Sequence, residues 1–130
     1  MQSIQGLAEL KKKIIPHIAK RGWFRGLDGR KVVVPSEHKT LAGMLQNGES
    51  TIMKHAALDW VHKAKRQFLE FKLVTWPHDE WQTEVRGQMK DAELLGEIQR
   101  QSIVDTGVKF GMICPLAGST DIGYNWKDTH

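Results

Sequence analysis

The stretch that decides the fold reads Leu73-Val74-Thr75-Trp76-Pro77-His78-Asp79-Glu80-Trp81-Gln82-Thr83-Glu84-Val85. Both of its ends are rich in β-branched and aromatic residues, which favour strands. The four residues between them are polar or proline, which is typical of a turn. We therefore predict a β-hairpin that presents His78, Asp79 and Glu80 at its tip.

Helical patterns flank this hairpin on both sides. Apolar residues recur every three or four positions from Leu41 to Phe68, which predicts a long helix that Ser36 caps and that continues to about Phe71. After the hairpin, Asp91 is expected to cap a last helix that ends near Thr106, before Gly107. The apolar segment 110–114 then predicts a final strand.

The N-terminal part of the chain predicts a helix followed by a second hairpin. Helical spacing runs from Ser3 to about Arg21, and Pro16 is expected to kink or shorten this helix. Asp28-Gly29 lies between two strand-like runs and predicts a tight turn, because glycine accepts positive φ. The order α-β-β-α-β-β-α-β predicts an α+β fold with a largely antiparallel sheet, and residues 1–130 are expected to form one domain.

Composition excludes several classes of protein. The chain has 130 residues, one cysteine and a formal net charge of +4, so an internal disulfide and a multi-cysteine zinc site are excluded. It has no apolar run long enough to span a bilayer and no secretory signal, so we expect a cytoplasmic protein without membrane contact.

The charge is unevenly distributed along the chain. Residues 1–72 carry 14 Lys or Arg and 6 Asp or Glu, whereas residues 73–130 carry 5 and 9. The basic first half suggests a polyanion partner such as nucleic acid. The alternative is that the split is accidental, because small basic proteins are common.

The tip of the predicted hairpin 73–85 concentrates negative charge. Asp79 and Glu80 repel each other, and a divalent cation such as Mg²⁺ relieves that repulsion with hard carboxylate ligands. Consecutive strand residues point to opposite faces, so one ion is shared only if the turn redirects the side chains. The alternative is that all three tip residues are ordinary polar turn residues.

The whole set of segments resembles the family A DNA polymerases, in the form found in T-odd bacteriophages. The His-Asp-Glu hairpin is similar to motif C of that family, and the arginine- and glycine-rich segment 21–32 resembles the hairpin before its long palm helix. Ser36-Glu37-His38 followed by Leu45-Gln46 looks like the start of that helix, and Gly123-Tyr124-Asn125-Trp126 resembles the end of the phage enzymes. The likeness covers roughly residues 17–130 and implies an incomplete palm domain.

The resemblance implies a role for each matching residue. Asp79 would bind one of two catalytic Mg²⁺ ions, Glu80 would support it, and His78 would contact the primer-terminal phosphate. Gln46 would read the minor groove at the primer terminus, and His38 would contact the template side. Four basic residues would contact duplex phosphates, namely Arg21, Arg25, Arg30 and Lys31.

The sequence also departs from the family. Ala42 stands where the family usually has Asn, and neither the motif A aspartate nor the fingers helix is present. We therefore expect the chain to be inactive alone and to work on primer-template DNA with an upstream polymerase fragment that supplies both. An exposed sheet edge would accept a partner strand or allow self-association. The alternative is a non-catalytic protein with a relic palm fold that binds DNA or a polymerase.

Overall fold

The computed structural model describes residues 6–129, which form an α+β fold. Three helical stretches alternate with two antiparallel pairs of strands, so the predicted fold class is confirmed. The predicted start of the first helix at Ser3 lies outside the described residues. The chain divides into two compact units, Met1–Thr51 and Ile52–His130.

The first unit begins with a helical stretch that contains one wide turn. Helix α1 (Leu7–Glu9) continues through a π-type turn (Leu10–Ile14) into α2 (Ile15–Arg21). The wide turn ends just before Pro16, which has no N–H to donate to the preceding turn. Helix α2 ends at Arg21, where its end was predicted, and Gly22 follows it with φ +77°.

A short hairpin follows directly. Strands β1 (Trp23–Arg25) and β2 (Lys31–Val33) pair antiparallel, and Gly29 takes φ +81° in the predicted turn. One face of the hairpin is buried in a small core with helix α2, whose buried members are Ile18, Phe24 and Val34.

Helix α3 (Glu37–Arg66) ends five residues earlier than predicted. Phe68 adopts φ +56°, the Leu69 N–H donates to the Ala64 carbonyl at 3.2 Å, and the Phe68 N–H donates to the Lys65 carbonyl at 3.1 Å. These two bonds form a Schellman ending that stops the helix. At the other end, the Ser36 hydroxyl makes no hydrogen bond, so the predicted side-chain cap is wrong.

The second unit contains the hairpin that was predicted at residues 73–85. Strands β3 (Glu70–Thr75) and β4 (Gln82–Arg86) pair antiparallel, and Val74 is bulged out between the pairs Leu73–Thr83 and Thr75–Gln82. The buried core beneath the hairpin consists of Ala57, Trp60, Ala64 and Leu95.

Helix α4 (Met89–Lys109) differs from its prediction at both ends. Gln88 is the N-cap, and Asp91 is the third helical residue of a capping box, accepting the Gln88 N–H at 2.7 Å. The helix also runs through Gly107, because tertiary contact with Leu116 uses that glycine for packing.

The predicted strand at 110–114 is not formed. The chain turns at Gly111, which has φ +66°, and the following residues return along α4. Leu116 lies over Gly107, and Thr120 lies over Gly96 and donates to its carbonyl at 3.3 Å. A short 3₁₀ turn (Trp126–Thr129) ends the described chain. No helix within residues 6–129 is both long and apolar enough to cross a bilayer.

Candidate functional site

A tight turn presents the acidic tip of the β3–β4 hairpin. The Glu80 N–H donates to the Pro77 carbonyl at 3.0 Å, and His78 takes φ +50° in the middle of the turn. Few residues other than glycine adopt this left-handed backbone, so the turn is strained at His78. The Trp76 indole N–H donates to the His78 carbonyl at 3.1 Å and holds that residue in place.

Aromatic rings in tilted and edge-to-face contact connect this turn to the buried core. The ring centroids of Trp76 and Trp81 are 6.0 Å apart, and those of Trp81 and Trp60 are 5.8 Å apart. Trp60 is fully buried, as its position in the helical stripe predicted, and it also contacts Phe71 at 5.2 Å. The three indoles therefore form a rigid support from α3 to the tip.

The side chains of His78, Asp79 and Glu80 are all exposed. The Gln82 side-chain amide donates to the Glu80 carboxylate, whereas Asp79 makes no hydrogen bond or ion pair with other residues in the range 6–129. This range contains no group of three or more potential metal-binding side chains. The tip can therefore supply one or two carboxylates to Mg²⁺, which suits an ion whose other ligands are water and phosphate.

The β1–β2 hairpin brings three of the four predicted DNA-binding cations together. Arg25 lies directly opposite Lys31. The Arg21 guanidinium lies 4.1 Å from the Trp23 ring centroid, and the Lys31 ammonium lies 5.0 Å from it. The result is a basic surface organised around one indole ring.

Arg30, the fourth predicted cation, is held by a carboxylate of its own turn. Its guanidinium pairs with Asp28 at 2.5 Å, and its backbone N–H donates to the same carboxylate at 3.1 Å. The bond from the Arg30 backbone N–H has the largest effect and lowers the pKa of Asp28 below its ordinary value. Desolvation opposes this shift, and the Arg30 guanidinium adds to it. The positive charge of Arg30 is therefore largely neutralised within the hairpin.

His38 and Gln46 are both exposed on α3 in the first unit. Eight residues separate them, which corresponds to about 12 Å along the helix axis. The turn of the β1–β2 hairpin packs against Asn47, the residue after Gln46, since a Cβ on Gly26 would lie 2.5 Å from the Asn47 amide oxygen. The first unit thus contains His38, Gln46 and the β1–β2 hairpin, and the second unit contains the acidic tip.

Sequence reasoning missed two indoles that organise these sites. Trp23 shares an outward face with Arg25, and strand alternation could have revealed this. The bond from Trp76 to the His78 carbonyl depends on the turn conformation, for which the sequence carries no signal.

The chain is similar in sequence to DNA-directed DNA polymerases of bacteriophages. No protein-family model matches the chain. It is 31% identical over 121 residues to the DNA-directed DNA polymerase of Enterobacteria phage T3, covering 85% of this chain and 16% of that protein. The same enzyme of Escherichia phage T7 gives the same identity and coverage. The DNA-directed DNA polymerase of Escherichia phage Phieco32 is 32% identical over 122 residues, covering 86% of this chain and 19% of that protein. The chain thus spans less than a fifth of the length of each of these relatives.

Proposed function

We propose that this chain is the motif C-bearing palm segment of a phage DNA-directed DNA polymerase. The observation that carries the proposal is the exposed His78-Asp79-Glu80 turn, which the aromatic support fixes at the end of a hairpin. The identity to phage DNA polymerases extends over 85–86% of the chain, so it supports the proposal well beyond the tip.

The tip would act in nucleotidyl transfer through its side chains. Asp79 would hold Mg²⁺, and Glu80 would add charge beside it. The metal, when bound, would stabilise negative charge on the phosphates and on the attacking 3′-oxygen. His78 would donate to the primer-terminal phosphate, and its strained backbone fixes the direction in which the imidazole leaves the turn.

The first unit would bind primer-template DNA in the host cytoplasm. Gln46 would donate to the minor-groove acceptor that every correct base pair presents at the primer terminus. His38 would contact the template side. Arg21, Arg25 and Lys31 would neutralise phosphates without regard to sequence. Arg30, which the sequence also predicted as a phosphate contact, would not, because it is paired with Asp28.

A complete catalytic centre would need an upstream polymerase fragment. Within residues 6–129 the tip offers only two adjacent carboxylates, and two-metal catalysis requires more. Both sheets in this range are two-stranded, so the edge of β3 or β4 is open to a strand from that fragment. We propose that this fragment supplies motif A, the fingers and the missing strand.

Reconstitution tests this proposal. The chain is mixed with an upstream fragment that contains motif A and the fingers, and Mg²⁺-dependent primer extension is measured. We expect extension only in the mixture, and Asp79→Asn should reduce it at least about a thousandfold because the metal loses its ligand. Asp121→Asn, which removes an exposed carboxylate far from the hairpin in sequence, is the matched control and should leave extension unchanged.

The same experiment distinguishes the proposed polymerase function from the non-catalytic alternative. A relic palm that only binds DNA or a polymerase would show co-elution with the fragment or with DNA, but Asp79→Asn would change neither. Absence of both extension and co-elution would contradict the proposed function.

A further inference from the structure

The outward face of the β1–β2 hairpin has an unusual composition. The pairs Trp23–Val33 and Arg25–Lys31 lie on one face, because the intervening pair Phe24–Val32 faces the core. Val33 is 74% exposed, so the face is open to solvent. It carries two cations, an indole and an aliphatic side chain, and no carboxylate.

The pairing of cations on this face costs stability. Like charges directly opposite each other in a sheet are unfavourable. The other hairpin avoids this arrangement by placing Lys72 opposite Glu84. The Arg25 guanidinium donates to the Gly29 carbonyl at 2.8 Å, and the Lys31 ammonium lies over the Trp23 ring, but neither cation is paired with a carboxylate of the described chain. An anionic ligand on this face would relieve their repulsion.

The contacts of Arg21 leave its anion-binding end available. Its Nε–H donates to the Trp23 carbonyl at 2.9 Å, and its guanidinium stacks on the same residue's ring. Its two terminal amino groups make no hydrogen bond or ion pair with other residues in the range 6–129, so they remain available as the fork that binds a phosphate through two bonds. Trp23 also contacts the Lys31 ammonium, so one ring positions two cations.

We infer that the hairpin 21–33 is a preorganised clamp for the phosphodiester backbone of duplex DNA, in which Trp23 is the positioning residue. Arg21, Arg25 and Lys31 bind phosphate, and Arg30 does not because Asp28 neutralises it. This inference rests on the proposed function for the identity of the polyanion. It goes beyond that function by assigning a positioning role to Trp23.

Salt-dependent binding of a fluorescein-labelled DNA duplex to the full chain tests the clamp. Each phosphate contact contributes about 0.9 to the slope of log affinity against log salt concentration. We expect Arg21→Ala and Lys31→Ala each to reduce the slope by about one. Arg30→Ala is the matched control and should leave the slope unchanged.

Trp23 is expected to behave differently from the cations. Trp23→Leu should lower affinity about three- to fivefold at fixed salt with no change in slope, because the charges remain but lose their orientation. Trp23→Phe retains an aromatic face and should restore most of the affinity, and thermal unfolding of both variants checks that they fold. If Trp23 were only structural, Trp23→Leu would not lower the affinity while leaving the salt slope unchanged, and Trp23→Phe would not restore the affinity.

Three results would overturn the clamp. They are a slope loss for Arg30→Ala equal to that for Arg21→Ala, a Trp23→Leu variant that binds like wild type, and equal affinity for heparin, which lacks duplex geometry. The readout is independent of catalysis, so failed reconstitution together with the expected slopes would refute the polymerase proposal and leave the clamp standing.

Discussion

Two residues other than glycine hold a left-handed backbone within the described chain, Phe68 and His78. They differ in what surrounds them. His78 lies in the acidic turn, where its carbonyl is bound by Trp76. Phe68 ends α3 and is 93% exposed, so its ring gains nothing from packing. The strain at His78 accompanies a candidate site, whereas that at Phe68 only ends a helix.

Replacing Phe68 should stabilise the protein. Glycine takes positive φ without a Cβ clash, so Phe68→Gly is expected to raise the free energy of unfolding by up to about 1 kcal/mol. The midpoint of urea denaturation measures the change. Phe68→Ala is the control, since it removes the ring but keeps the clash, and it should be close to neutral. Equal midpoints for the two variants would contradict this explanation.

Removing the Trp76 indole N–H should loosen the acidic turn selectively. Trp76→Phe keeps a ring and loses a hydrogen bond worth about 1 kcal/mol, which should speed amide exchange at Glu80 about fivefold. Trp81→Phe is the comparison, because its indole N–H has no hydrogen-bond partner in the structure. That variant should lower global stability through lost packing without a selective effect at Glu80.

At the scale of elements, the segment after α4 returns along that helix and covers its glycines. A Cβ on Gly107 would lie 2.9 Å from Leu116 Cγ. We expect Gly107→Ala to destabilise the protein by about 1–3 kcal/mol in chemical denaturation. Gly43→Ala is the matched control: it lies in α3 with nothing within 4 Å of the added Cβ, and it should stabilise by about 0.5–1 kcal/mol. A stabilised Gly107→Ala variant would show that the segment does not pack there.

An ion-pair network links α3 and α4. The Lys63 ammonium lies 2.6 Å from the Asp59 carboxylate and 2.7 Å from the Asp105 carboxylate. Hydrogen bonds from Lys63 and then Gln101 hold the pKa of Asp105 below 3.8, and the bonds to Asp105 and then Asp59 raise the pKa of Lys63 above 10.5.

The network should make stability depend on pH in a defined direction. A lowered carboxylate pKa stabilises the fold above pH 3.8, and this contribution is lost as the pH falls through the shifted pKa. The raised pKa of Lys63 stabilises below pH 10.5 and is lost above it. Because these side chains are substantially exposed, Asp105→Asn should cost less than about 1 kcal/mol at neutral pH. Urea denaturation should show this difference vanish on acidification, and a constant difference would contradict the assignment.

Local sequence signals predicted some elements well and others poorly. Gly29 ends the turn of the first unit's hairpin and Gly22 ends α2 with φ values of +81° and +77°, which few residues other than glycine accept. Gly107 was misread as a helix stop because its role, contact with Leu116, comes from a segment nine residues later. Likewise, residues 110–114 have a strand-like composition but pair with no strand in the described chain, so their tertiary context overrides their strand propensity.

The candidate site was predictable in its residues but not in its organisation. The His-Asp-Glu turn and the basic residues of the β1–β2 hairpin were identified from the sequence. The neutralisation of Arg30 by Asp28, however, depends on side-chain geometry within the turn. The tryptophan contacts depend on a bulge and a register that no local pattern specifies.

At the scale of the whole molecule, many large apolar side chains are exposed. Val74, on a strand with an open edge, is 64% exposed, and Val108 on α4 is 76% exposed. An apolar open edge favours pairing with another chain. We expect concentration-dependent self-association of the chain in sedimentation experiments.

Charge on the strand should suppress this association. Val74→Lys is expected to weaken it at least about tenfold, because lysine on an edge strand disfavours pairing. Val108→Lys removes comparable apolar surface from a helix and is the matched control. Equal effects of the two variants would show that general apolar contact, rather than the sheet edge, drives association.

The bulged Val74 makes the hairpin sensitive to its length. With this extra residue, Thr75 pairs with Gln82 and the Trp76 ring meets the Trp81 ring. Side chains alternate between faces, so deleting one residue from β3 would turn Trp76 to the opposite side and remove the support of the turn. A substitution in β3 alters single contacts. A change of one residue in the length of β3 would instead redirect the side chains of His78, Asp79 and Glu80 together. The strand can therefore vary in composition more freely than in residue count.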